Sequence, residues 1–141
     1  FQDLLDPKQV RDDNLSGTGY GLQEGLVMKN IAPEIFRQRL MIEAFYTIEV
    51  TTEKLNTYLR GLADQLNLRI YSDPIIFSPS SGMGKEGNQG FDAFVPLIDS
   101  GISAYVWSSQ KFLSLVIYTC KGFDETKALT YTKDFFKVSS K

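Results

Sequence analysis

The residues of this chain equipped for covalent or acid–base chemistry crowd into one stretch, 90–123. There Asp92 offers a carboxylate, Asp99-Ser100 sets an acid beside a hydroxyl, Tyr105 offers a phenol, and Cys120 is the only thiol in the sequence. Trp107 presents a flat indole next to Ser108 and Ser109, and Phe77 adds an aromatic face upstream. Hydroxyls and thiols serve as nucleophiles or proton donors, carboxylates as bases, and aromatic faces as stacking platforms. The sequence has no histidine, which removes Ser-His-Asp and Cys-His arrangements at once. A single cysteine without histidine also leaves no structural zinc site, so no metal is expected.

Each of these residues has an ordinary reading too. Asp99-Ser100-Gly101 is a common turn. A lone cysteine is more often a small apolar group than a proton donor. Phe77, Tyr105 and Trp107 suit a core or a dimer contact as well as a ligand platform. Asp92, at a strand start between Phe91 and Phe94, is most simply a solvated carboxylate.

A chain of 141 residues is long enough to bury a real core. With 15 basic and 17 acidic residues the formal charge is -2, which gives no electrostatic case for nucleic acid or an anionic membrane. No apolar run approaches the ~20 residues of a membrane span. Phe1 opens no signal-peptide pattern, so a soluble, cytoplasmic setting is expected.

The chemistry-bearing stretch reads as three consecutive strands. Ile102, Ala104 and Val106 alternate with Ser103, Tyr105 and Trp107, the period of a strand with two different faces. The polar quartet 108–111 has hairpin length, and 112–119 is rich in β-branched and aromatic residues. Upstream, 39–50 alternates as a strand through Ile42, Ala44, Tyr46, Ile48 and Val50, after a helical turn over 33–38. Thr51 or Thr52 caps a helix whose stripe is Leu55, Tyr58, Leu59, Leu62, Ala63 and Leu66, closed by Asn67. A strand over 68–77, interrupted at Pro74, belongs at an edge. Asp124 caps a last helix with Ala128, Tyr131, Thr132, Phe135 and Phe136 on one side.

Residues 78–90 form a glycine-rich loop in which Gly82, Gly84 and Gly87 spell GxGxxG. A strand follows them where a dinucleotide site needs a helix, so the loop reads as a flexible lid. The glycines from Gly17 to Gly25 and the acidic residues before them suit an extended arm. Residues 1–38 are therefore taken as an N-terminal arm or extension and 39–141 as the domain. Helices segregated on one face of a largely antiparallel sheet give an α+β two-layer sandwich. Aromatic residues on the other sheet face need cover, and a second copy is the simplest cover, so a homodimer is expected.

The strings Phe77-Ser78-Pro79, Gly90-Phe91-Asp92, Asp99-Ser100, Tyr105-Val106-Trp107-Ser108-Ser109 and Tyr118-Thr119-Cys120-Lys121 occur in fixed order. Together with the element order over 40–136, they resemble the S-adenosylmethionine decarboxylases of the short prokaryotic type, pyruvoyl-dependent carboxy-lyases of polyamine (spermidine) biosynthesis. The resemblance implies that Ser100 is where relatives cleave their own chain after an acidic residue, here Asp99. There the serine would become a pyruvoyl group, an electron sink for decarboxylation. It implies that Cys120 is the proton donor, and that Phe77 and Trp107 flank an adenine.

This chain departs from the family pattern at several of those positions. Asp92 and Tyr105 stand where the family has a serine and a histidine that assist processing, and Ser109 stands where a glutamate holds the ribose. A phenol of pKa about 10 is a poor base at neutral pH, and loss of a charged acceptor weakens a nucleoside by about 1 to 3 kcal/mol. Two readings follow. One is an uncleaved, non-catalytic binding or partner subunit (a pseudoenzyme), paired with itself or with an active decarboxylase paralogue. The other is a working pyruvoyl-dependent decarboxylase of S-adenosylmethionine or another amino acid, processed between Asp99 and Ser100. Either form has room for a small amine or adenosyl ligand.

Overall fold

The computed structural model describes residues 30–78, 87 and 89–139. Over them runs β1 (Gln38–Phe45), α1 (Thr52–Gln65), β2 (Ile75–Phe77), β3 (Gly90–Leu97), β4 (Ser100–Trp107), β5 (Phe112–Thr119) and α2 (Glu125–Phe136). The strands form a five-stranded antiparallel sheet in the order β1-β5-β4-β3-β2. β3, β4 and β5 are the three strands expected from the sequence, joined by the short connections 98–99 and 108–111.

Side-chain alternation divides the sheet into two unlike faces. Leu40, Ile42, Ala93, Val95, Leu97, Ile102, Ala104, Val106, Leu113, Leu115 and Ile117 are all buried and meet the helices. From the helical layer come Leu55, Tyr58, Leu59, Leu62, Ala63 and Leu66, the whole stripe expected of α1, with Ala128 and Phe136 of α2. The Tyr58 ring stands 5.2 Å from Phe135 and 4.7 Å from Phe136, and its hydroxyl lies 2.7 Å from that of Thr132. Burial pushes the Tyr58 phenol well above the ordinary tyrosine range.

The opposite face carries Phe77 at 63 % exposure, Phe94 at 41 %, Tyr105 at 40 % and Tyr118 at 42 %. No described element covers it, which makes this the α+β two-layer sandwich expected from the sequence.

Both helices start at the capping residues named from the sequence. Thr51 accepts from the Lys54 amide and Asp124 from the Lys127 amide, each at 3.1 Å. Asn67 adopts a left-handed φ of 58° just past α1, the conformation that stops a helix there.

Three expectations need correction. The strand read over 39–50 ends at Phe45, because its neighbour β5 begins at Phe112 and leaves nothing beyond Tyr46 to pair with. Thr47 instead bonds to Phe136 and Lys137 at the end of α2. The segment 33–38 is a turn closed by Ile35 donating to Ala32, and no helix forms there. Over 68–77 only Ile75–Phe77 is a strand, with a single earlier bridge of Ile70 to Leu97. Its edge position is as expected. The glycine-rich arm and most of the GxGxxG loop lie outside the described residues.

Candidate functional site

Ser100 opens β4, and its backbone faces Leu97 on one side and Thr119 on the other. Between Leu97 and Ser100 the chain reverses through Ile98 and Asp99, and Asp99 takes a left-handed φ of 60°, which aspartate tolerates better than most side chains. The Ser100 Oγ accepts a hydrogen bond from the Cys120 amide at 3.3 Å. Cys120, exposed just past β5, thus adjoins Ser100 although 20 positions separate them in sequence. A recess of about 350 Å³ opens here on the uncovered face, lined by Phe94, Asp99, Ser100, Gly101, Ser103, Val116 and Tyr118.

Gly101 is part of that construction. A Cβ built there would lie 2.8 Å from Cε1 of Phe94, so the phenyl ring rests directly on the backbone that follows Ser100. Phe94, Ser103 and Tyr118 line the recess beside Ser100 although the sequence alone does not mark them as site residues. Their signal was present in the parity of β3, β4 and β5, which puts all three on the open face, but the register that brings them to Ser100 is a property of the sheet.

Asp92 and Tyr105 form a second group. They are direct partners in the β3–β4 ladder, with Phe77 beyond Asp92 and Ser114 beyond Tyr105. Ser114 in turn donates to Glu43 Oε2 at 2.9 Å. This row Phe77-Asp92-Tyr105-Ser114-Glu43 crosses the open face about 17 Å from Ser100, at ~3.3 Å per residue along β4.

Trp107 lies still farther along β4, its ring half-buried 5.3 Å from Phe112 and its backbone opposite Gly90. Ser109 lies in the turn beyond, where its hydroxyl donates to Gln110 Oε1 at 2.7 Å. Phe77, on the edge strand β2, is two strands from Trp107 and shares its open face. The candidate residues therefore fall into two clusters on one sheet: Asp99, Ser100 and Cys120 at one end, and Phe77, Asp92, Tyr105, Trp107 and Ser109 toward the other.

A larger recess of about 540 Å³ lies on the helical side of the Ser100 end, lined by Gln38, Asn67, Lys121, Asp124 and Lys127 among others. It contains none of the candidate residues. Among the described residues no group of three or more His, Cys, Asp or Glu is placed to hold a metal ion, and no helix is long and apolar enough to cross a membrane.

A pyruvoyl group, had the chain made one, would take the place of Ser100 itself and supply an electron sink for loss of carbon dioxide. The surroundings fit such a group in two respects: the Cys120 amide is a ready donor, and the recess admits a small ligand. Cys120 meets Ser100 through its backbone amide, and its thiol is free and exposed.

The family model described as S-adenosylmethionine decarboxylase matches residues 39–141. No curated protein matches the chain. The matched segment contains every strand from β3 to β5, both helices, and all the residues of the two clusters. Members of this family are pyruvoyl-dependent in general, and the chain belongs to the S-adenosylmethionine decarboxylase family.

Proposed function

We propose that this protein is an uncleaved member of its family, a non-catalytic binding or partner subunit in cytoplasmic polyamine biosynthesis, with 39–141 as the working domain and 1–38 as an extension. What supports this reading is the residue types at the two processing positions, a carboxylate at Asp92 and a phenol at Tyr105 in place of a serine and a histidine, with no base of its own chain hydrogen-bonded to Ser100 among the described residues to compensate. Ser100 has the Cys120 amide as its hydrogen-bond partner, while Asp92 and Tyr105, at the positions of the family's processing residues, lie about 17 Å away along β4. Intramolecular attack of Ser100 on the Asp99 carbonyl needs a base within hydrogen-bond reach, roughly 3 Å.

The exposed Phe77, Phe94, Tyr105 and Tyr118 support a partner role. An apolar face of this kind is normally covered, here by a second copy or by an active decarboxylase paralogue of the same fold. A small amine would enter beside Phe77 and Trp107, with Ser109 on the rim, and an adenosyl compound would be held there only weakly because Ser109 carries no charge.

One observation favours the second reading, a working decarboxylase. Asp99 is held left-handed at the bond that would break, and Ser100 beside it opens to a recess. In that case Asp92 and Tyr105 act on Ser100 from a second copy laid across the open face. Peptide mapping separates the two readings. The tryptic peptide 86–111 should be recovered whole, with an unmodified serine at 100. A peptide ending at Asp99 with a blocked partner beginning at position 100 refutes the non-catalytic reading.

A further inference from the structure

We infer that the outer edge of β1 is a self-association surface, where a second copy adds its own β1 antiparallel and in register about Met41. The contact is distinct from the open face and does not depend on whether Ser100 is cleaved. β1 is an edge strand of the sheet, and the hydrogen bonds around it fix which backbone groups point outward. Tyr46 donates inward to Lys111 of the β5 side, while Ser139 donates to the Phe45 carbonyl and Thr47 to the Phe136 carbonyl. Even-numbered residues of β1 thus pair with β5, and the odd-numbered ones turn their N–H and C=O groups to the edge.

Chain from the end of α2 occupies the edge at Phe45 and Thr47. At the other end the strand is entered through Arg37, whose guanidinium is bound to Ala32, Ile35 and Asn30. Between these limits the outward groups of Arg39, Met41 and Glu43 have no backbone partner among the described residues. The strand carries no proline, lysine or bulge of the kind that blunts an edge.

The free segment is self-complementary. Antiparallel pairing centred on Met41 sets Arg39 of each copy opposite Glu43 of the other, in hydrogen-bonded pairs, with opposite charges meeting twice. On the helical side the same register sets Leu40 opposite Ile42, continuing the buried apolar row. Shifting the register to either side pairs one charge with Met41 and loses the match. The complementarity of charge and of hydrogen-bonding parity in one register identifies a second copy as the occupant.

Sedimentation equilibrium on the full chain tests this. R39E should weaken association at least tenfold, and R39E/E43R, which exchanges the charges, should restore it to within about threefold. Because E43R alone also breaks the bond to Ser114, a cross-link gives an independent reading. In a C120S background, M41C should form a disulfide-linked dimer on mild oxidation, while T57C on the exposed side of α1 should not. A monomeric wild-type chain, an R39E variant that associates normally, failure of the charge exchange to rescue, or absence of the Met41 link would each overturn the proposal.

Discussion

Asp92 and Tyr105 face each other across the β3–β4 ladder, yet both stand five residues along the sheet from the Ser100 they would have to serve. A base acts over a hydrogen bond, so this pair has no access to Ser100 of its own chain. D92S/Y105H, which installs the serine and histidine of the family pattern, should therefore give cleavage only through a second copy. The cleaved fraction should rise with protein concentration, as read by gel densitometry across a dilution series. Cleavage independent of concentration would mean that the two groups meet within one chain.

Much of this geometry can be read from the sequence, and the boundary is physical. The alternation of 102–107 and 112–119 and the shortness of their connections dictate β4 and β5, and the caps Thr51 and Asp124 dictate where the helices begin. Ile48 and Val50 continue the alternation of β1 without belonging to it, because a strand lasts only as long as its neighbour and β5 begins at Phe112. The same limit applies to the site. Parity assigns Asp92, Tyr105 and Trp107 to the open face, and Ser100 adjoins Cys120 only because β4 and β5 pair in one particular register.

Gly90 and Gly101 should respond very differently to alanine. At Gly90 an added Cβ meets the Val106 carbonyl oxygen at 1.8 Å, a backbone atom with nowhere to go. G90A should cost about 3 kcal/mol or more, the scale of severe overpacking. At Gly101 the obstacle is the exposed Phe94 ring, which can swing aside at about 1 kcal/mol. In an F94A background the G101A penalty should vanish, a coupling that denaturant unfolding of the four variants measures.

Tyr58 makes stability sensitive to alkaline pH. Its folded-state pKa is raised, first by burial, so its contribution is complete below the unfolded value of about 10 and is lost as pH rises above it. Tyr46 and Tyr131 are raised by burial in the same direction. Y58F should lower stability by about 1 to 2 kcal/mol at neutral pH, since the buried Thr132 hydroxyl loses its partner. The variant should then lose less than the wild type between pH 9 and 11, on the scale of the ordinary tyrosine pKa of about 10. Urea titrations at these values give both numbers.

S-adenosylmethionine should leave the melting temperature essentially unchanged. Ser109, on the rim of the proposed ligand site, offers only a hydroxyl engaged by Gln110, and Phe77 and Trp107 lie two strands apart. Binding at a hundredfold excess over Kd would add about 2.7 kcal/mol, which thermal unfolding detects easily. S109E should bind more tightly than the wild type by roughly tenfold, about 1.4 kcal/mol on the scale of a charged hydrogen bond.

Intact mass spectrometry of the purified chain reads the bond between Asp99 and Ser100 directly. A single species at the full 15.9 kDa, unchanged on prolonged incubation, is the expected result. Two fragments meeting at that bond, the second bearing a pyruvoyl group in place of Ser100, would contradict it.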